Sequence, residues 1–137
     1  GQAPMDVQVS GHCGLQAGVE DDTYLHLTFP DGSKAHLHNS WLWPIVERGL
    51  IIVGEKGMLI YDEINQNVKL VKKTIDSDLQ NVDQGEEVVF EGSGQPLRIE
   101  LDHFMSCCKT RNKPNSCGQN GYDVVNVIAQ AEALLRK

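Results

Sequence analysis

The sequence predicts an α+β fold: a predominantly antiparallel or mixed sheet of about six strands, with two C-terminal helices packed on one face. Three observations carry this reading. Short segments of alternating apolar and polar residues recur as far as Glu91, a Pro30-Asp31-Gly32 turn separates two of them, and helical periodicity sets in only after Pro96. The chain has 137 residues, of which 40% are apolar, and is expected to form one domain over residues 1–137. A chain of this length buries roughly two thirds of the surface that its unfolded form exposes.

Val7 and Val9 alternate with polar neighbours over residues 6–10, the period of a strand, and Gly11, Gly14 and Gly18 then open a loop. Residues 23–29 and 33–41 flank the Pro30-Asp31-Gly32 turn. Proline presets φ for a type I turn and glycine takes the left-handed position that closes a bulged hairpin. If that turn pairs residue 29 with 33, then 27 faces 35 and 25 faces 37. Leu25, Leu27, Phe29, Ala35 and Leu37 then share an inward apolar face, and Tyr24, His26, Thr28, Lys34, His36 and His38 share the other.

Residues 50–53 and 58–61 are apolar on both faces and surround the Gly54-Glu55-Lys56-Gly57 turn, so they are expected as central strands. Residues 68–74 and 86–91 add two more, with the polar stretch 76–84 as a surface loop between them. Pro96 suits a first helical turn, after which Leu97, Leu101, Phe104, Met105 and Cys108 recur at helical spacing. A loop over 111–121 follows, with Asn120 as the expected cap of a final helix. That helix carries a broad stripe of Val124, Val125, Val127, Ile128, Ala131, Leu134 and Leu135.

Lys and Arg number 12 against 19 Asp and Glu, a net charge of −7, and only Lys72 and Lys73 are adjacent. No basic stripe tracks a phosphate backbone, so nucleic acid is not an expected partner. No apolar run approaches the roughly 20 residues of a membrane helix, and neither a membrane partner nor a secretory leader is expected. These features predict a cytoplasmic protein. Cys13, Cys107, Cys108 and Cys117 show no C-x-x-C spacing, and the vicinal pair does not suit a disulfide within a helix. They read as reduced thiols.

Three imidazoles on neighbouring strands can approach zinc geometry, but no acidic or thiol ligand is expected on that face, so no metal is assigned. Tyr24, His26, His36 and His38 read instead as amphipathic contact residues of an oligomer interface. Gly92-Ser93-Gly94 begins like a dinucleotide fingerprint, yet Leu97 occupies the third glycine position and no parallel strand follows. No G-x-S-x-G or H-E-x-x-H occurs. His103 and Cys107 stand four residues apart without an evident oxyanion site or orienting group. No catalytic residue and no cofactor-binding residue is assigned to this chain.

Ser40-Trp41-Leu42-Trp43-Pro44, Arg48, Val53-Gly54 and the two late helices together resemble the C-terminal domain of the Gfo/Idh/MocA family of NAD(P)-dependent oxidoreductases. The resemblance covers residues 7–135 and is most like dehydrogenases of nucleotide-linked amino sugars, such as UDP-sugar 3-dehydrogenases. It implies a substrate-binding and oligomerisation domain, with the nucleotide-binding Rossmann half absent from this chain. In that family a Lys of a Glu-Lys-Pro motif, often with a downstream His, assists hydride transfer with NAD or NADP. Neither motif is present here, so both are expected upstream of Gly1 and the isolated chain is expected to be inactive. Residue 1 is Gly rather than Met, as tag cleavage would leave it, which accords with a portion of a longer protein.

The implied substrate contacts are Ser40, Trp41 and Arg48, and the implied partners are the Rossmann domain, a sugar or nucleotide sugar, and further copies of the chain. A Trp face stacks on a sugar or base ring, and an Arg fork holds carboxylate or phosphate. The sequence departs from the family pattern at Val46, where a Lys is often found, and at Trp43, where an acid is frequent. The alternative reading is a free-standing, non-enzymatic binding or assembly module that uses the histidine-rich sheet face.

Overall fold

The structure, a computed structural model, describes residues 2–136; Gly1 and Lys137 lie outside the described residues, and with them the reading of the chain's start. Strands and helices run in the order β1 (Asp6–His12), β2 (Asp22–Thr28), β3 (Lys34–Ser40), β4 (Gly49–Gly54), β5 (Gly57–Asp62), β6 (Asn67–Ile75), β7 (Asn81–Glu91), α1 (Pro96–Thr110) and α2 (Gly118–Leu135). The fold class is α+β with antiparallel pairing. The strands form two sheets, of three and four, rather than a single sheet of about six. The chain divides into two compact units, one of residues up to Pro44 with those from Ser106 on, the other of Ile45–Met105.

In the first unit, β1, β2 and β3 form a meander in which Leu25 faces Leu37 and Leu27 faces Ala35, the register that the turn predicts. The turn is built as expected. The Phe29 N–H donates to the Ser33 carbonyl at 2.9 Å, and Gly32 is left-handed at φ +84°. The Asp31 carboxylate accepts from the Ser33 N–H at 2.9 Å and from its hydroxyl at 2.6 Å. Val7, Val9, Leu25, Leu27 and Ala35 are half-buried on one face. α2 packs along β1 on that side, where a methyl added to Gly11 would meet Leu135 at 3.0 Å. No strand packs against α1 to a comparable extent among the described residues, so placement on one face is seen for α2 alone.

A buried carboxylate closes the loop between β1 and β2. Asp21, 7% exposed, accepts from the Leu15 N–H at 2.5 Å and from the Gly14 N–H at 2.8 Å. Its own N–H donates to the His12 carbonyl at 3.0 Å, and its carbonyl accepts from the Trp41 N–H at 2.8 Å. One residue thus ties the start of the β1–β2 loop to the end of β3. The Leu15 N–H, seconded by that of Gly14, holds the Asp21 carboxyl below the ordinary carboxylate range against the opposing effect of burial.

In the second unit the order is β4-β5-β6-β7, so β5 is interior but β4, expected to be central, is the outermost strand. Sequential hairpins explain this: each new strand adds to the last, and the first stays at the rim. Its apolar residues are open, Leu50 at 54% and Val53 at 77% exposure. β7 begins at Asn81, inside the stretch expected as a loop, because Asn81, Val82 and Asp83 pair with Ile75, Thr74 and Lys73. Asn and Asp are poor strand formers, so cross-strand partners place them rather than propensity. One such partnership is the Lys73–Asp83 ion pair at 2.9 Å. The remaining connection, residues 76–80, folds around the Asp76 carboxylate, which accepts from the Asp78 and Gln80 N–H groups at 2.9 Å each.

The final helix also starts earlier than expected. Cys117 is its N-cap, extended at φ −85° and ψ 167° with no side-chain capping bond, and the Gly121 N–H reaches the Cys117 carbonyl at 3.1 Å. Asn120 therefore lies within the first turn and does not cap it. Cys107 is buried and Cys117 half-buried, whereas Cys13 and Cys108 are exposed. No helix among the described residues is long and apolar enough to cross a membrane.

Because the folded pKa of Asp21 is lowered, its stabilisation is complete above the unfolded value, about 3.9, and is lost as pH falls through the folded value. Asp21→Asn should lower the melting temperature at pH 7, with the gap to wild type closing below about pH 4. Gly57 has φ +147°, and a Cβ there would stand 2.5 Å from the Val71 carbonyl oxygen. Gly57→Ala should destabilise by about 1–3 kcal/mol in chemical denaturation. Gly121→Ala, in a helical turn with nothing within 4 Å of the added methyl, should stabilise by about 0.5–1 kcal/mol.

Candidate functional site

Strand alternation places every second residue of the first sheet on the face opposite α2. The cross-strand rows there are His12, Asp22 and Ser40, then Ser10, Tyr24 and His38, then Gln8, His26 and His36, then Asp6, Thr28 and Lys34. All four residues expected at an interface, Tyr24, His26, His36 and His38, share this face. The expectation that no acid shares it is corrected. β2 begins at Asp22, one residue earlier than expected, and the same alternation brings Asp22 beside the histidines.

His38 is the most contacted of these groups. Its Nε2 lies 2.7 Å from Asp22 Oδ1, the Tyr24 ring stacks on it at 4.2 Å and 3°, and Trp43 meets it edge-on at 5.5 Å. Hydrogen bonds from His38 first, and then from the Ser40 hydroxyl, hold the Asp22 carboxyl below the usual range. One row further along, His26 Nδ1 and His36 Nδ1 are 2.6 Å apart with ring centroids at 4.8 Å. Two aromatic walls and an Asp–His pair make a surface suited to flat, hydroxyl-rich or aromatic groups. Among the described residues, no group of three or more His, Cys, Asp or Glu side chains could hold a metal ion.

The expected substrate contacts divide between the two units. Ser40 ends β3 on the histidine face, where its Oγ accepts from the Leu42 N–H at 3.1 Å and tightens the turn that follows. That turn throws Trp41 outward to 87% exposure. Arg48 belongs to the second unit, where Nη1 pairs with Glu63 Oε1 at 3.4 Å. Sequence reasoning missed Asp22 and the contact role of Trp43. Asp22 has the same parity as Tyr24 and His26, and that was the signal available. A groove of about 640 Å³ runs along the second sheet, lined by Ile52, Met58, Leu59, Leu70, Lys72 and Gln84. It includes none of the expected site residues.

The dinucleotide-like Gly92-Ser93-Gly94 stands outside the context that such a fingerprint needs. Gly92-Ser93-Gly94 connects β7, an antiparallel strand, to α1, and no parallel βαβ unit exists among the described residues to present a helix N-terminus to a pyrophosphate.

No protein-family model matches the sequence, and no curated protein matches it either. Solved structures do. UDP-N-acetylglucosamine 3-dehydrogenase from Acidithiobacillus ferrooxidans superposes in two crystal forms, with TM-scores of 0.82 and 0.74 at 17% and 20% identity. Aldose-aldose oxidoreductase from Caulobacter crescentus, complexed with glycerol, superposes with a TM-score of 0.73 at 20% identity. Each alignment covers 98% of this chain but only 40% to 42% of the other. In fold the chain therefore resembles these sugar oxidoreductases, as the Ser40-to-Gly54 motif implied, and it spans about two fifths of their length.

Proposed function

We propose that this chain is the C-terminal, substrate-binding and oligomerisation domain of a cytoplasmic NAD(P)-dependent oxidoreductase acting on a sugar or nucleotide sugar. The observation that carries the reading is the fold likeness over 98% of the chain against 40% of a nucleotide-sugar dehydrogenase. On this reading the remaining length is a Rossmann domain that binds NAD or NADP and carries the hydride-transfer groups. This domain positions substrate, both helices are packed on one side in the assembled enzyme, and the opposite sheet face meets another copy.

Trp41 supplies an exposed indole for the apolar face of a sugar or a base, and Ser40 a hydroxyl beside it. Arg48, presented by the second unit and lightly held by Glu63, is available to a phosphate. Tyr24, His26, His36 and His38 form the contact surface between subunits. Its mixture of ring faces and polar edges is the composition that interfaces favour.

The test is to assay the longer polypeptide for NAD(P)⁺ reduction with UDP-linked amino sugars; no reduction with any nucleotide sugar would overturn the reading. In the active enzyme Trp41→Ala should raise KM about tenfold with kcat within about twofold, because ring stacking contributes before the reacting carbon changes. Arg48→Ala should act in the same direction. His36→Glu with His38→Glu should shift the assembly toward monomer in sedimentation velocity, and an unchanged sedimentation coefficient would remove the interface.

A further inference from the structure

We infer that the His26–His36 pair makes assembly through this sheet face acid-labile, because the pair accommodates one shared proton and a second drives the rings apart. The inference rests on the proposal that the face is an interface between copies of the chain. Two ring nitrogens at 2.6 Å are within hydrogen-bond distance only if one donates and the other accepts. With both imidazoles protonated, two N–H groups would point at each other and two positive charges would share one cross-strand position.

Among the described residues no carboxylate is in direct contact with either ring of the pair. On β2, Asp22 is engaged by His38 at 2.7 Å. On β1, Asp6 Oδ2 accepts from the Gln8 amide at 2.9 Å, and Gln8 itself, opposite His26, is neutral. Lys34 and His38 flank His36 on β3, and His12 adds a further titratable group on β1, so this face carries several cationic or titratable groups beside the two carboxylates. Tyr24 is neutral and stacked on His38. α2 lies on the other face and contributes nothing to the pair. Covering this face with its own copy doubles each charge and removes the water that would solvate it, so protonation costs more in the assembly than in the free chain.

The experiment is sedimentation equilibrium of the full-length protein at pH 8.0 and pH 5.5, with far-UV circular dichroism at both to establish that the fold persists. Association should weaken at least tenfold at pH 5.5, and His26→Gln, which leaves a single imidazole, should reduce that change to within about twofold. His38→Gln should keep the acid sensitivity. Equal association at the two pH values, or a His26→Gln profile as steep as wild type, overturns the inference while leaving the interface standing. A monomer at pH 8.0 overturns the interface reading itself.

Discussion

The open face of the first sheet depends on the register between β2 and β3, because side chains alternate and a slip of one residue would exchange the two faces. If β3 slipped in this way, His36 and His38 would turn toward α2 and Leu37 toward the solvent, while His26 and Leu25 on β2 stayed as they are. What holds the register is local chemistry at both ends of the hairpin. At one end the Asp31 carboxylate binds Ser33 beside left-handed Gly32. At the other the backbone of Asp21 holds His12 and Trp41 while its carboxylate holds the loop. Neither end relies on a large buried core.

The chain leaves much of its apolar surface uncovered. Among the described residues only Val71, Cys107 and Ala131 are buried apolar positions, and no large side chain is fully buried. Phe90, Phe104, Ile128 and the tryptophans all stand open to about half or more. A surface of this kind is expected of a segment whose faces close against other polypeptide. That agrees with a chain spanning two fifths of the length of its structural neighbours.

Local pattern made the strands legible, since a two-residue period, a Pro-Asp-Gly turn and a glycine-bounded hairpin each act over a few residues. What lay beyond it was long-range. The sequence of β4 is as apolar as a central strand, and nothing within it says that its sheet grows on one side only. The first residues of β7, Asn81, Val82 and Asp83, are held in the strand by pairing with Ile75, Thr74 and Lys73, information held at positions 73–75. On the candidate site, the four-residue cluster of Tyr24, His26, His36 and His38 follows from parity alone. Asp22 obeys the same parity but stands at a strand end, where propensity gives no help. Arg48 falls in the second unit, and sequence adjacency to Trp41 could not tell that.

β4 bears on how the polypeptide behaves before it is finished. It offers the unpaired side of its backbone and four successive aliphatic residues, Leu50-Ile51-Ile52-Val53, with no proline or charge among them. Such a rim is a template for pairing with any other extended chain. Pairing of that kind is second-order in concentration, whereas closure against an attached or pre-assembled surface is first-order. Crowded synthesis therefore favours the second-order route wherever the rim stays open. A cover over this strand would thus act as a guardian of yield as much as of shape.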